Sequence, residues 1–283
     1  MTQRYGGDMT APSLNLNDGR TIPQLGLGTY PLDDAQVADV IVTAAELGYR
    51  HFDTAMRYGN EKGVGAGVRA TGLDRSDVFV TTKLDGEFQG DDRAIAGLEA
   101  SLERLGLDYV DLLLIHWPLP KRDEYVSTWR TFIELRDRGL TKSIGVSNFT
   151  PRHLDRLVDE TGVVPAVNQI QLSPVITREA FREANTRHGI VTESWSPLGG
   201  DGADVLASPL VQELAARYDR TPGQIVLRWH VQNGLVAIPK SGNAGRLAEN
   251  MAIFDFELVD ADLELLATLA DPAAGVDPEA GGH

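Results

Sequence analysis

Apolar residues recur along this chain in short unbroken runs, separated by longer segments with helical periodicity. The runs fall near 25–29, 49–54, 78–83, 110–116, 142–147, 166–170, 190–195 and 235–239, and each reads as a strand. Val110-Asp111-Leu112-Leu113-Leu114-Ile115 lacks the alternation of a strand with one wet face, so it suits a sheet covered on both sides. Residues 33–47, 91–105, 126–138 and 178–187 read as amphipathic helices between the runs. Eight strand–helix units of comparable length predict an α/β fold of the (β/α)8 or TIM-barrel type rather than an open sheet.

Two segments fall outside that repeat. Leu14-Asn15-Leu16 and Thr21-Ile22 flank Asn17-Asp18-Gly19-Arg20, which predicts a small hairpin turned at Asp-Gly that would cap the bottom of the barrel. The interval between Trp195 and Leu235 has room for a loop at 199–207 and an extra helix at 209–218, before the helix that starts at Thr221-Pro222. A last helix is expected at 260–270. No linker interrupts the chain, so residues 1–283 are expected to form one domain, with flexible ends at 1–12 and 273–283.

Composition narrows the class. The chain has 283 residues, no cysteine and a formal net charge of −15. Absence of cysteine removes disulfides, thiolate metal sites and thiol nucleophiles, and suits a reducing compartment. No run approaches the roughly 18 apolar residues of a membrane span, and the N-terminus lacks the apolar core of a signal peptide. The acidic balance argues against nucleic acid, which needs a clustered basic face. A cytoplasmic monomer acting on small molecules is the expectation. His51, His153, His188 and His230 show no metal-ligand spacing, so no metal is expected.

Chemistry-bearing residues cluster at the C-terminal ends of the predicted strands. Asp53 and Tyr58 follow the second, Lys83 the third and His116 the fourth; Ser147-Asn148, Gln169, Glu193-Ser194-Trp195 and Pro239-Lys240-Ser241 follow the rest. A closed parallel barrel brings all these ends to one rim, where such folds do their chemistry. A phenol with a pKa of about 10 gives up its proton reluctantly, but a nearby ammonium favours the phenolate and a carboxylate can hold that ammonium in place. With an imidazole to bond a carbonyl oxygen, the set can protonate a carbonyl as hydride reaches its carbon. No side chain donates hydride, which requires a nicotinamide.

From about Gln24 to Asp271 the sequence resembles the aldo-keto reductase superfamily. The resemblance is carried by Gly48-Tyr49-Arg50-His51-Phe52-Asp53-Thr54-Ala55, Tyr58-Gly59-Asn60-Glu61, Gly145-Val146-Ser147-Asn148-Phe149 and Ile238-Pro239-Lys240-Ser241. The Trp-Ser-Pro-Leu run and the overall length look most like the prokaryotic branch that contains 2,5-diketo-D-gluconate reductases. The resemblance implies Tyr58 as general acid, Lys83 and Asp53 tuning it, and His116 orienting the carbonyl. It implies that Trp195 stacks on the nicotinamide, that Ser147, Asn148 and Gln169 bind its carboxamide, and that Ser196, Pro197 and Leu198 follow the pyrophosphate. Lys240, Ser241, Asn243 and Arg246 would clamp the 2′-phosphate of NADPH, with Glu249 and Asn250 at the adenine. Two cations six residues apart suit a phosphate dianion, so NADPH is expected over NADH.

The substrate pocket would take Tyr30, Met56 and Trp117. Asp85 stands where many members have tryptophan, Tyr30 where others have tryptophan or phenylalanine, and Arg57 adds charge at the mouth. Small dicarbonyls are therefore expected to outrank aldoses. Three other readings compete. Gly63-Val64-Gly65-Ala66-Gly67 invites a dinucleotide-binding reading, but helix packing accounts for it better. Asp53 with Asp85 or Glu193 could serve glycoside hydrolysis. A cofactor-sensing binding module would bind NADPH without turnover.

Overall fold

The computed structural model describes residues 10–200 and 205–282. Strands β1 (Ser13–Asn15) and β2 (Thr21–Pro23) pair antiparallel, with Leu14 opposite Ile22. The eight parallel strands follow in chain order: β3 (Leu27–Gly28), β4 (His51–Asp53), β5 (Phe79–Leu84), β6 (Val110–Ile115), β7 (Thr141–Ser147), β8 (Val167–Gln171), β9 (Val191–Trp195) and β10 (Val236–Ala237). Each pairs only with its neighbours in sequence. The two end strands are shorter than the sequence runs at 25–29 and 235–239, yet the residues beside them close the ring. Leu25 bridges Ala237 in parallel, the Gly26 N–H donates to Ala237 O (2.9 Å), and the Gly28 N–H donates to Pro239 O (3.2 Å). Closure leaves the eight-stranded sheet without an open edge.

Outside the ring lie α1 (Asp34–Glu46), α2 (Glu61–Ala70), α3 (Asp91–Leu105), α4 (Tyr125–Asp137), α5 (Pro151–Thr161), α6 (Glu179–His188), the extra helix α7 (Pro209–Tyr218), α8 (Pro222–Gln232), α9 (Ala244–Met251) and α10 (Asp260–Ala267). Local sequence explains several starts: Asp33 with Gln36 and Thr221 with Gln224 form capping boxes that satisfy first-turn N–H groups. The helix expected at 178–187 begins one residue later because Arg178 takes a left-handed φ of 47°. The glycine run in α2 serves helix packing. A Cβ at Gly65 would lie 1.7 Å from Leu105 O, and one at Gly63 would lie 2.2 Å from Asp34 O, so only glycine permits these helices to approach.

The twofold side-chain alternation of strands decides what faces the barrel interior. On β6, Leu113 and Ile115 pack outward among the helices, whereas Leu112 and Leu114 join Ile22, Val167 and Val236 inside. The hairpin closes this inner core from below: Asn17 Nδ2 donates to Pro165 O (2.8 Å) and Ser143 Oγ donates to Asp18 Oδ2 (2.6 Å). The barrel interior is thus apolar at its floor, and polar residues are left for the top.

Of the loop expected at 199–207, residues 201–204 lie outside the described residues, as do 1–9 and 283 of the two ends. Residues 273–282, within the end expected to be flexible, run along the top rim. The Val276 N–H donates to Gln171 Oε1 (2.7 Å), Arg178 Nη2 donates to Val276 O (2.5 Å), and Glu279 meets Arg152 and His153. Among the described residues no helix is long and apolar enough to cross a membrane.

Candidate active site

Residues two apart along one strand point to the same face, here the barrel interior, which is why His51 and Asp53, Thr81 and Lys83, and Glu193 and Trp195 come in pairs. The upper members of these pairs meet at the rim. Lys83 Nζ donates to Asp53 Oδ1 (2.5 Å), Thr54 O (3.0 Å) and Tyr58 Oη (3.5 Å), so all three ammonium hydrogens are spent. The side chains of Lys83 and Asp53 are 1% and 2% exposed, which makes this a fully desolvated pair. Removal of either partner would strand a buried charge. Tyr58 sits on the 3-10 turn Met56–Tyr58, ended by Gly59 in the left-handed region (φ 66°), and this turn carries the phenol over Lys83. Its ring lies edge-on to His116 (centroids 5.9 Å) and against Tyr30 (5.1 Å), which is exposed at the mouth.

Burial raises the Tyr58 phenol above its ordinary value, outweighing the opposing pull of Lys83. The phenolate-favouring ammonium expected from sequence is present, but the net shift goes the other way. Tyr58 is consequently protonated at neutral pH, and because its oxygen accepts from Lys83 its own proton is free for another acceptor. Burial alone would lower Lys83, yet the charges of Asp53 and Tyr58 together lift it, and it stays an ammonium.

A second polar layer adjoins the first. Gln169 Nε2 donates to Asp53 Oδ2 and to Glu193 Oε2, both at 2.8 Å. Burial, then the charge of Asp53, pushes Glu193 up to about 8. Its neighbour His51, with Nε2 at 3.6 Å from Glu193 Oε1, is pulled down to about 3 by burial and carries no charge to pair with it. Gln169 therefore separates Asp53 from the fully buried Glu193, which leaves no gap for a glycosidic bond between those carboxylates. Asp85 is engaged elsewhere, capping the short turn Gly86–Phe88 and facing Arg57 at 3.7 Å.

Around the rim, Ser147 Oγ donates to Gln169 O (2.9 Å), and Asn148 Nδ2 donates to His116 O (3.1 Å) and Ser147 Oγ (3.0 Å). Asn148 Oδ1 accepts from Trp195 Nε1 (2.9 Å) and so pins the indole. Asn148 and Ser196 both hold positive φ, 63° and 50°, a conformation that costs energy and marks a shaped site. Pro197 is buried, while Ser196 and Leu198 are half-buried beside it. Past β10, Lys240 is exposed and Ser241 buried; Asn243 Oδ1 caps α9 by accepting from the Arg246 N–H (3.0 Å). Lys240 and Arg246 form no ion pair among the described residues. Glu249 is exposed and Asn250 buried on the same helix.

The predicted substrate residues divide. Tyr30 borders Tyr58, and Trp117 is nearly buried beneath the C-terminal segment, where a Cβ on Gly281 would lie 3.0 Å from its ring. Met56 packs against the main core, which leaves Arg57 as the half-exposed member of that turn. The sequence pattern put Glu193 at a strand end on the rim but gave it no part in carbonyl reduction, and it did not single out His51 for the site. Their spacing of two from Trp195 and Asp53 is the signal that places them in the interior.

A closed α/β barrel thus carries the desolvated Lys83–Asp53 pair and the half-buried Tyr58 at its C-terminal rim, an arrangement chemically suited to a carbonyl oxidoreductase. The comparisons agree: the family model described as Aldo/keto reductase family matches residues 24–271, and the chain belongs to that family. An aldo-keto reductase of Mycolicibacterium smegmatis is 45% identical over 95% of this chain and 97% of its own. The methylglyoxal reductase DkgA of Yersinia pestis is 46% identical over 96% and 98%. Among solved structures, a Gox0644 variant in complex with NADPH superposes with a TM-score of 0.92 at 43% identity, covering 97% of this chain and 100% of that one.

Proposed function

We propose that Tyr58 delivers the proton in the NADPH-dependent reduction of aldehyde and ketone carbonyls that this enzyme carries out. The observation behind this reading is the Lys83 ammonium, held by Asp53 and Thr54 with its third hydrogen on the Tyr58 oxygen. The residues present suit NADPH. The pinned Trp195 indole offers a flat face, Ser147, Asn148 and Gln169 stand beside it, and Lys240 with Arg246 offers unpaired charge for the 2′-phosphate. Bound NADPH supplies the hydride. His116 orients the carbonyl oxygen, Tyr58 transfers its proton there, and Lys83 stabilises the phenolate until solvent restores the proton.

Tyr58→Phe keeps the ring and removes the proton. Its kcat is expected to fall by about 100-fold or more, with NADPH binding, followed by fluorescence titration, unchanged. Near-normal turnover would remove Tyr58 from this role. Small dicarbonyls are the proposed substrate class, supported by relatives named methylglyoxal reductase and by the exposed charge of Arg57 at the mouth. A higher kcat/KM for methylglyoxal than for aldoses is expected, and a reversed order would refute it. The absence of cysteine supports the cytoplasm as location, and a monomer is the proposed state.

A further inference from the structure

Glu193 is a fully buried carboxyl on β9 to which the reaction assigns no task. A buried carboxyl with no use is costly, because burial of a charge or an unpaired polar atom opposes folding. Its one hydrogen bond among the described residues is informative: Oε2 accepts from Gln169 Nε2 at 2.8 Å, while Oε1 has no hydrogen-bond partner there. The other hydrogen of the same Gln169 nitrogen goes to Asp53 Oδ2, also at 2.8 Å. An amide nitrogen has two hydrogens, and here both end on carboxyl oxygens. Rotating the amide by half a turn would set its carbonyl oxygen against the Asp53 carboxylate and give up the N–H bond to Glu193 Oε2. Two carboxyl groups on opposite sides thus fix which end of Gln169 faces in, and its carbonyl oxygen is the end left over. Among the described residues no hydrogen bond uses that oxygen.

We propose that Glu193 is a positioning residue which, with Asp53, locks the Gln169 amide so that its carbonyl oxygen is presented as a hydrogen-bond acceptor to the amino group of the coenzyme's carboxamide. The proposal rests on the reading of this rim as the nicotinamide site. Asp53 alone would hold one hydrogen of the amide and leave the group free to swing; the second anchor on β9 removes that freedom. The ring face presented to the carbonyl depends on how the carboxamide is held, so a fixed acceptor here also fixes the ring.

The test uses a coenzyme without the donor. Reduced 3-acetylpyridine adenine dinucleotide phosphate carries a methyl group where NADPH carries the amide NH2, and is otherwise the same ligand. Dissociation constants for both are measured by fluorescence titration on the wild type, E193Q, E193A and Q169A. The wild type is expected to prefer NADPH by about 10-fold, a ratio within reach of one well-made hydrogen bond. E193A is expected to lose most of that preference, whereas E193Q, whose side-chain carbonyl still accepts from Gln169, keeps it. E193T, a strand-favouring residue too short to reach Gln169, gives the same loss should E193A fail to fold. A general packing defect would weaken both coenzymes equally and leave the preference intact, and that result in E193A or E193T overturns the proposal. Q169A separates the two levels. Preference kept in Q169A removes the nicotinamide from Gln169 and with it the reading beneath; preference lost in Q169A but kept in E193A overturns the role of Glu193 alone.

Discussion

Protonation at single residues sets how this site responds to pH. Glu193 is raised by burial and then by Asp53 from an ordinary 4.5 to about 8, so the folded chain keeps a proton there that the unfolded chain releases. A raised carboxyl contributes stability at low pH that is lost as pH climbs from 4.5 through 8. His51 and His230 act in the opposite sense: burial lowers them from 6.5 to about 3 and about 4, and their contribution is lost as pH falls below 6.5. Between pH 6.5 and 8 the unfolded-state histidines lose their remaining half proton, their opposing contribution fades, and Glu193 comes to dominate among the three. Urea unfolding of the wild type should show stability falling across that window by up to about 1.4 kcal/mol per pH unit. E193Q should flatten the decline, and parallel curves for the two proteins would contradict the assignment.

At the level of elements, the proposed coenzyme clamp from Lys240 through α9 would separate coenzyme choice from catalysis. Asn243 caps α9, so the backbone of this junction is set independently of any ligand, and Lys240 and Arg246 project from it into solvent. A charge-assisted contact to a phosphate is worth about 1.5–3 kcal/mol, less where solvent screens it. Arg246→Ala should therefore weaken NADPH binding by about 10-fold and leave NADH binding nearly unchanged, with the NADPH loss shrinking as salt is added. Equal losses for both coenzymes would place Arg246 elsewhere in the site.

The whole molecule divides function from support along the barrel axis. The hairpin and the apolar floor hold the lower end, and the ionisable residues occupy the upper end. Ile22 is fully buried in that floor among Leu112, Val167 and Val236, so Ile22→Ala should cost about 2–5 kcal/mol in urea unfolding. Its kcat at a temperature where the variant stays folded should match the wild type, because no part of the rim is touched. A matched loss of kcat would show that the floor and the rim are mechanically coupled.

Strand order, the hairpin, the extra helix and the residues of the rim were all legible in the chain, because strands and helices announce themselves through local periodicity and turn residues. Asp53, Tyr58, Lys83 and His116 stood out jointly, because each alone is ordinary but four ionisable groups at the ends of strands sharing one rim, within a family's motifs, are not. Three matters belonged to the tertiary structure alone. The direction of the Tyr58 shift depends on burial, which no spacing reveals, and burial prevailed over the ammonium. The course of residues 273–282 follows from contacts with Gln171, Arg178 and Arg152, more than 90 positions away in the chain. The bond between Gln169 and Glu193 came only when β8 was set beside β9, for a hydrogen bond between two strands exists only once both have been placed.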